Sequence, residues 1–238
     1  MADSNKPFQF MSRGQDSHAC VSYRGMKERF RLHRAPGAAV VIITNVSAPV
    51  RMPTLVELTT VFLDRDGVIN RKLPEGRWVS SVDEFRILPG VPQAIGRLNA
   101  AGIRVIVVSN QRGIALGDIT ADSVEDCHRI LRKQLEAENA HVDGIYICPH
   151  DRQSCGCRKP LSGLYDQAVR DFPEITPEKS VVIGDSISDI EFGRRLGIPT
   201  IWIEGPSESR KPGWEDAAAL ATLRCRSLPE AVEVLCRR

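Results

Sequence analysis

Five short apolar runs recur along the chain from Thr60 onward, and stretches with helical spacing of apolar residues separate them. Runs of this length, rich in β-branched residues, are typical of strands buried on both faces of a parallel sheet. The alternation of runs and helices predicts an α/β fold with helices on both faces of the sheet. The predicted strands are Val61–Leu63, Val105–Val108, Ile145–Ile147, Val181–Ile183 and Thr200–Ile203, and the predicted helices lie near residues 92–101, 120–139, 161–171, 187–196 and 229–236.

Polar or metal-ligating side chains follow four of these runs directly. Open parallel sheets bind ligands beyond the carboxyl ends of their strands, so side chains that follow the strands are expected to gather at one edge. The sequence therefore predicts a functional site at that edge. The segments concerned are Asp64-Arg65-Asp66-Gly67, Ser109-Asn110-Gln111, Cys148-Pro149-His150 and Gly184-Asp185.

The first of these segments has the composition of a phosphoryl-transfer site. A carboxylate fixed at a strand end, such as Asp64, can attack phosphorus and form an acyl phosphate, and Asp66 can then act as acid and base. A phosphate dianion and a carboxylate repel each other, so a cation is needed, and Mg²⁺ prefers oxygen ligands such as Asp185. Asp189, one helical turn later, is a candidate ligand of the metal's waters or a brace for the loop. The competing interpretation is that Asp64 and Asp66 only cap a turn.

Further candidates for phosphate binding follow the second run. The hydroxyl of Ser109 and the amides of Asn110 and Gln111 can donate hydrogen bonds to phosphate oxygens. Lys159 can neutralise charge on a transferring phosphoryl group. Taken alone, the tripeptide also fits a helix cap or turn, and the lysine also fits a solvent-facing position.

Four residues with the spacing of a metal site lie close together in the second half of the chain. Three thiolates and one imidazole suit tetrahedral Zn²⁺, and a fully occupied shell indicates a structural ion that rigidifies the loop presenting Arg158 and Lys159. A disulfide is the competing interpretation, which the absence of a signal-peptide pattern disfavours. The four candidate ligands are Cys148, His150, Cys155 and Cys157.

Taken together, these motifs resemble the haloacid dehalogenase superfamily of phosphotransferases over about residues 60–205. The resemblance implies a Rossmann-like fold in which Asp64 is the nucleophile and Asp66 the acid and base. It also implies a phosphate-binding role for Ser109 and Lys159. Mg²⁺ would be bound by the side chains of Asp64 and Asp185 and by the backbone carbonyl of Asp66.

The zinc-type loop narrows this resemblance. Cys148-Pro149-His150 followed by Cys155-x-Cys157-Arg158-Lys159-Pro160 is similar to the branch that contains D-glycero-D-manno-heptose 1,7-bisphosphate 7-phosphatases and histidinol-phosphatase domains. In that branch the arginine and lysine after the cysteines contact substrate. No large insertion separates the motifs of this chain, so no large cap domain is expected. The resemblance implies hydrolysis of the heptose 7-phosphate, with histidinol phosphate as the alternative substrate. The segment 71–80 and the zinc loop would form the rim of an open site.

Ser186 and the stretch Leu73–Trp78 depart from that branch, where heptose phosphatases tend to carry lysine after the metal-binding aspartate and a shorter substrate-contacting loop. These departures bear on the substrate and not on the chemistry. An alternative of another class is a zinc-stabilised binding module without catalysis, which the complete set of motif residues argues against.

The net charge and the length of the apolar runs bear on whether the chain binds nucleic acid or spans a membrane. The chain has 238 residues and a formal charge of +2, which gives no expectation of nucleic-acid binding, and its longest apolar runs are far below the roughly 20 residues that span a bilayer. We expect a cytoplasmic monomer that acts on a small phosphorylated metabolite. Residues 1–52 carry eight Lys or Arg against three Asp or Glu and predict a poorly ordered extension, or a segment that precedes a true start at Met52. The strand-like Val40–Thr44 within it has no evident partner, and residues 53–238 are predicted to form the phosphatase domain.

Overall fold

The computed structural model describes residues 51–207 and 210–237, together with three strands nearer the N-terminus. The chain divides into two units, Met1–Val50 and Arg51–Arg238. In the first unit, β1 (His18–Tyr23), β2 (Met26–Arg34) and β3 (Val41–Asn45) form an antiparallel sheet in the order β1-β2-β3.

The predicted strand in this unit is present as β3, and its partner is β2. Sequence reasoning found no partner because the segment that forms β2 is dominated by charged residues, although Phe30 and Leu32 alternate with them at the strand period of two. The other statements about residues 1–52 stay predictions, since those residues lie largely outside the described part of the chain.

The second unit is built on a six-stranded sheet in which every pair of neighbours is parallel. The strands are β4 (Thr60–Leu63), β5 (Arg104–Asn110), β6 (Gly144–Cys148), β7 (Ser180–Gly184), β8 (Thr200–Ile203) and β9 (Leu223–Cys225). Their spatial order is β6-β5-β4-β7-β8-β9, so β4 and β7 are central neighbours. This confirms the predicted parallel α/β sheet.

Seven α-helices lie between or after these strands in the described part of the chain. They are α1 (Val91–Ala100), α2 (Gly113–Leu116), α3 (Ala121–Glu136), α4 (Gly163–Asp171), α5 (Ile187–Leu196), α6 (Trp214–Leu220) and α7 (Leu228–Cys236). Five of them match the predicted positions. The others, α2 and α6, and the three-residue β9 are too short for a periodic signal to stand out in the sequence.

Alternate residues of the central strand pack into two separate cores. Val61 and Leu63 of β4 face a core shared with α1, α3 and α7, whereas Phe62 faces a core shared with α4 and α5. Both faces of the sheet are therefore covered, which leaves the carboxyl ends of the strands as the accessible edge. Within the described ranges no cap domain is inserted over that edge, and none of the helices combines the length and apolar character needed to cross a membrane.

Candidate active site

Three aspartates meet at the carboxyl edge of β4 and β7. Asp64 directly follows β4, Asp185 directly follows β7, and Asp189 lies in the first turn of α5. All three residues are buried, and each offers a carboxylate oxygen within 4.8 Å of the others. The predicted convergence of acids from two different strands is therefore present in the fold.

The loop from β7 into α5 holds two members of this cluster, Asp185 and Asp189, in place. Ser186 caps α5: its backbone N–H and its hydroxyl donate to Asp189 Oδ2 at 3.1 and 2.6 Å. The indole N–H of Trp202 donates to the backbone oxygen of Asp185 at 3.1 Å. A capping box and a neighbouring strand thus hold the two acids in place.

Lys159 provides the positive charge at the centre of the cluster. Its buried Nζ lies 2.8 Å from Asp64 Oδ1 and 2.6 Å from Asp189 Oδ1, and it donates to the carbonyl oxygen of Val108 at 2.6 Å. Asn110 clamps the backbone of Lys159 from both sides: its Oδ1 accepts from the Lys159 N–H at 3.0 Å, and its Nδ2 donates to the Lys159 carbonyl at 3.1 Å. Asn110, predicted to bind phosphate, therefore positions the lysine.

Burial opposes the charged form of two of these three acids, although three lysines lie close to them. Burial, followed by the charge of Asp189, raises the pKa of Asp64 to about 7 even with Lys159 beside it. Burial also raises the pKa of Asp185, although Lys211 and Lys72 oppose the shift and Lys72 Nζ donates to Asp185 Oδ2. The second oxygen of Asp185 is buried with no hydrogen-bond partner among the described residues. Hard oxygen donors in this state fit a divalent cation such as Mg²⁺.

Asp66 lines the same cavity but lies outside this group of three acids, and its carboxylate is held by four hydrogen bonds or ion pairs. Arg65 Nη2 lies 3.0 Å from Oδ1 and 2.9 Å from Oδ2, Asn70 Nδ2 donates to Oδ1 at 2.9 Å, and Gln111 Nε2 donates to Oδ2 at 2.8 Å. Burial alone would raise the pKa of Asp66, but Arg65 and these hydrogen bonds hold it below its ordinary value. The two motif acids thus have opposite pKa shifts, because Asp66 is paired with an arginine and amide donors whereas Asp64 lies beside two other buried acids.

Gly67 allows the chain to turn between Asp66 and the cluster. Its φ is +104°, and a Cβ at this position would lie 2.3 Å from Asp185 Oδ2. Any side chain would therefore strain the backbone and collide with a candidate metal ligand.

Ser109 and Gln111 connect the cavity floor to Asp66. Gln111 Nε2 donates both to Asp66 Oδ2 and to Ser109 Oγ, at 2.8 Å each. Because Ser109 Oγ accepts this bond, its own O–H is oriented away from Gln111 and can donate to a ligand oxygen in the cavity that it lines.

The cluster opens into a cavity of about 730 Å³. One wall comes from residues 72–79 and the other from the loop around Arg158, as predicted for the rim. Arg158 Nη1 is buried without a hydrogen-bond partner in the described part of the chain. Sequence reasoning missed Lys72 and Lys211, which also line the cavity: Lys72 adjoins the first motif, whereas no local pattern marks Lys211.

The four candidate zinc ligands also come together, at the edge strand β6 and the loop that follows it. Cys148 Sγ lies 3.5 Å from Cys155 Sγ, Cys155 Sγ lies 3.5 Å from Cys157 Sγ, and His150 Nδ1 lies 3.2 Å from Cys157 Sγ. Tetrahedral Zn²⁺ with Zn–S bonds of about 2.3 Å separates its ligand atoms by roughly 3.7 Å. The arrangement therefore fits zinc, and all six described cysteines are free of disulfides.

The thiols of this cluster have divergent pKa values because burial and hydrogen bonds act on each of them differently. Burial raises the pKa of Cys157 to about 12, and its two neighbouring thiols add to the shift. For Cys155, burial is outweighed by hydrogen bonds from the backbone N–H groups of Arg158 and Cys157, so its pKa falls to about 7. One thiolate is thus favoured at neutral pH, and a bound cation would favour the others.

Comparisons with known proteins place the chain among hydrolases of one superfamily. Residues 156–230 match a family model described as HAD-hydrolase-like. The D-glycero-alpha-D-manno-heptose-1,7-bisphosphate 7-phosphatase of Mycobacterium bovis is 42% identical over 137 residues, which are 57% of this chain and 72% of that protein. The D-glycero-beta-D-manno-heptose-1,7-bisphosphate 7-phosphatase of Escherichia coli is 32% identical over 181 residues, 73% of this chain and 93% of that protein.

A solved structure adds to these sequence matches. The D,D-heptose 1,7-bisphosphate phosphatase of B. bronchiseptica, complexed with magnesium and phosphate, superimposes with a TM-score of 0.65 at 28% identity and covers 76% of this chain and 99% of that one. Fold, site and matches define a magnesium-dependent class of enzyme, the phosphatases of the haloacid dehalogenase superfamily. Within that class, the chain belongs to the family of D-glycero-D-manno-heptose-1,7-bisphosphate 7-phosphatases.

Proposed function

We propose that this enzyme removes the 7-phosphate of D-glycero-D-manno-heptose 1,7-bisphosphate through an aspartyl-phosphate intermediate. The observation that carries the mechanism is the convergence of Asp64, Asp185 and Asp189 around the buried Lys159. The relatives named above act on this bisphosphate according to their names, which supports the substrate.

Asp64 is the proposed nucleophile. One of its carboxylate oxygens bonds to phosphorus while the bond from phosphorus to the sugar oxygen breaks, and the departing oxygen takes a proton from Asp66. Asp66 then accepts a proton from a water whose oxygen attacks the acyl phosphate, which releases inorganic phosphate and restores Asp64. Asp64 and Asp185, through their side chains, and the Asp66 backbone carbonyl would hold Mg²⁺, which supplies positive charge against the repulsion between phosphate and nucleophile.

The hydrogen bonds around Asp66 favour its charged form, as the second step requires. A phosphate dianion in the cavity is a like charge, which raises the pKa of Asp66 and favours uptake of the proton that the first step consumes. Asp66 is therefore protonated when substrate binds, and it is a carboxylate base once it has given its proton to the departing alcohol.

Surrounding residues bind and orient the phosphoryl group. Lys159 Nζ, held between Asp64 and Asp189, would offset charge on the transferring group, and the Ser109 hydroxyl would donate to one of its oxygens. Gln111 orients Ser109 and Asp66 together. Arg158, with its buried unpartnered Nη1, would bind the substrate at the cavity wall.

Cys148, His150, Cys155 and Cys157 would hold a structural Zn²⁺. Four protein ligands leave no open coordination position, so the ion would take no part in the chemistry. Its effect would be to fix the loop whose next two residues are Arg158 and Lys159. Free thiols are typical of a reducing compartment, which supports a cytoplasmic location. We also propose that the enzyme acts as a monomer.

A phosphate-release assay with Mg²⁺ tests this proposal. The native chain is expected to release phosphate from the α or β anomer of the heptose 1,7-bisphosphate with a far higher kcat/KM than from histidinol phosphate. Asp64→Asn should reduce kcat by at least about 10⁴-fold because the amide cannot form the acyl phosphate. Asp83→Asn, which alters an exposed carboxylate outside the cavity, is the matched control and should leave kcat unchanged.

Each part of the proposal has its own contrary result. A higher kcat/KM for histidinol phosphate would overturn the substrate. Activity that survives Asp64→Asn in a preparation free of other phosphatases would overturn the mechanism.

A further inference from the structure

Arg65 is a buried arginine between the two motif acids. Its side chain is directed into the protein, is fully buried, and lies over the ring of Phe85 with the guanidinium carbon 5.9 Å from the ring centroid. Nη2 contacts both carboxylate oxygens of Asp66. Nη1 is directed at His128 Nε2, 3.3 Å away, on helix α3 and 63 residues along the chain.

The chemistry of this contact fixes the tautomer of His128. A guanidinium only donates, so Nε2 must accept and the ring proton must be on Nδ1. Nδ1 in turn lies 3.3 Å from Glu125 Oε2, one turn earlier on α3, where it can donate. Burial, followed by the charge of Arg65, lowers the pKa of His128 to about 4, while Glu125 opposes the shift and Arg132 adds to it. The imidazole is therefore neutral at working pH, as the geometry requires.

His128 is placed in the core although it is polar. It lies on the buried face of α3 beside Val124, Cys127 and Leu131, and only 2% of its surface is exposed. A buried polar ring persists where it satisfies a partner, and its partner here is the guanidinium that holds Asp66. The chain from Glu125 through His128 and Arg65 ends on the acid and base of the reaction.

We propose that His128 is a positioning residue for proton transfer: it orients the Arg65 guanidinium, which sets the carboxylate of Asp66 toward the leaving oxygen. The inference rests on the proposed phosphatase function. Loss of this orientation would slow steps that need a proton from Asp66 and spare those that do not. A purely structural role would slow all substrates alike.

The test compares leaving groups. The value of kcat/KM covers the steps up to formation of the acyl phosphate. Nitrophenolate is stable enough to leave without a proton, whereas a sugar oxygen must be protonated as it leaves. We expect His128→Leu to lower kcat/KM for the heptose bisphosphate about tenfold and that for p-nitrophenyl phosphate less than twofold, with phenyl phosphate between them. His128→Gln, whose side-chain oxygen can accept from Arg65, should restore kcat/KM to within about threefold.

Leu131→Val is the packing control, because it shortens a fully buried side chain on the same face of α3. It should affect the three substrates equally. Should His128→Leu fail to fold, Glu125→Ala at the half-exposed end of the chain of contacts should show the same selectivity at two- to threefold. Equal losses on all substrates, or no loss with His128→Leu, would overturn the positioning role.

The outcome also separates this inference from the proposed function. If the native chain hydrolyses the aryl phosphates but not the heptose bisphosphate, the proposed substrate is wrong. The role of His128 is then still decided by comparing the native protein and His128→Leu on a series of alkyl and aryl phosphates, in which kcat/KM is plotted against the pKa of the leaving group. A native chain inactive on every phosphate monoester would overturn both.

Discussion

The two clusters of ligating side chains in this enzyme are built in opposite ways. The Asp cluster, made of Asp64, Asp185 and Asp189, is fully buried and comes from the ends of two central strands and the first turn of α5. The Cys/His cluster has one member, Cys148, at the end of an edge strand, and its other members lie in a partly exposed loop.

This difference determines how each cluster is held without an ion. The sheet fixes the Asp cluster, and built-in lysines compensate for part of the repulsion between its carboxylates. The loop of the Cys/His cluster has no such frame, and its three thiols and imidazole gain a common partner only from a cation. We therefore expect the first cluster to be pre-formed and the second to depend on its metal.

The largest expected effect follows from withdrawing the two proposed metals, Zn²⁺ and Mg²⁺, separately. Removing Zn²⁺ with a chelator should lower the stability of the protein by at least about 5 kcal/mol, or roughly 10 °C in Tm, because ion binding is coupled to folding of the loop. Removing Mg²⁺ should change Tm by no more than about 3 °C, because lysines already hold the acids. Thermal melts with each metal withheld measure both shifts in Tm. Equal shifts would contradict the idea that the Asp cluster is pre-formed and the Cys/His cluster depends on its metal.

A smaller effect tests the charges within the Asp cluster. Lys159→Met should destabilise the metal-free protein by about 3 kcal/mol, because it leaves Asp64 and Asp189 buried against each other without their common partner. Adding Asp189→Asn should recover part of the loss, since it removes one of the two charges. Urea unfolding of the four proteins in this cycle measures the coupling, and strictly additive changes would contradict the idea that the lysine holds the acids.

The smallest expected effect concerns the burial of His128 in the core. The pKa of His128 is about 4 in the fold against 6.5 for an ordinary histidine, so between these values the unfolded chain binds a proton that the folded chain does not. Stability therefore rises with pH through this window, and lowering the pH from 7 to 5 should remove about 2 kcal/mol through this residue. The free energy of unfolding of the native protein and of His128→Gln, measured at the two pH values, isolates this contribution. If it changed equally with pH in both proteins, His128 would have an ordinary pKa in the fold and would therefore be hydrated.

Much of the architecture followed from local pattern. Buried strands such as Val61–Leu63 are recognisable as short apolar runs, and residues after parallel strands share one edge, so the meeting of Asp64 with Asp185 was predictable. The close spacing of Cys155 and Cys157 likewise indicated one binding loop. The short elements α2, α6 and β9 were not predictable, because fewer than eight residues carry no usable periodicity.

The sequence by itself determined the strand ends, the acids that follow them and the thiols of the loop, because each of these is encoded in a few consecutive residues. Only the tertiary structure decided which side chains meet at the site: Lys72 meets Asp185 across 113 residues of chain, and the neutral His128 meets Arg65 across 63. It also showed that Asn110, a predicted phosphate ligand, holds the backbone of Lys159. Such contacts depend on strand order and helix packing, which bring together residues that have no pattern in common along the chain.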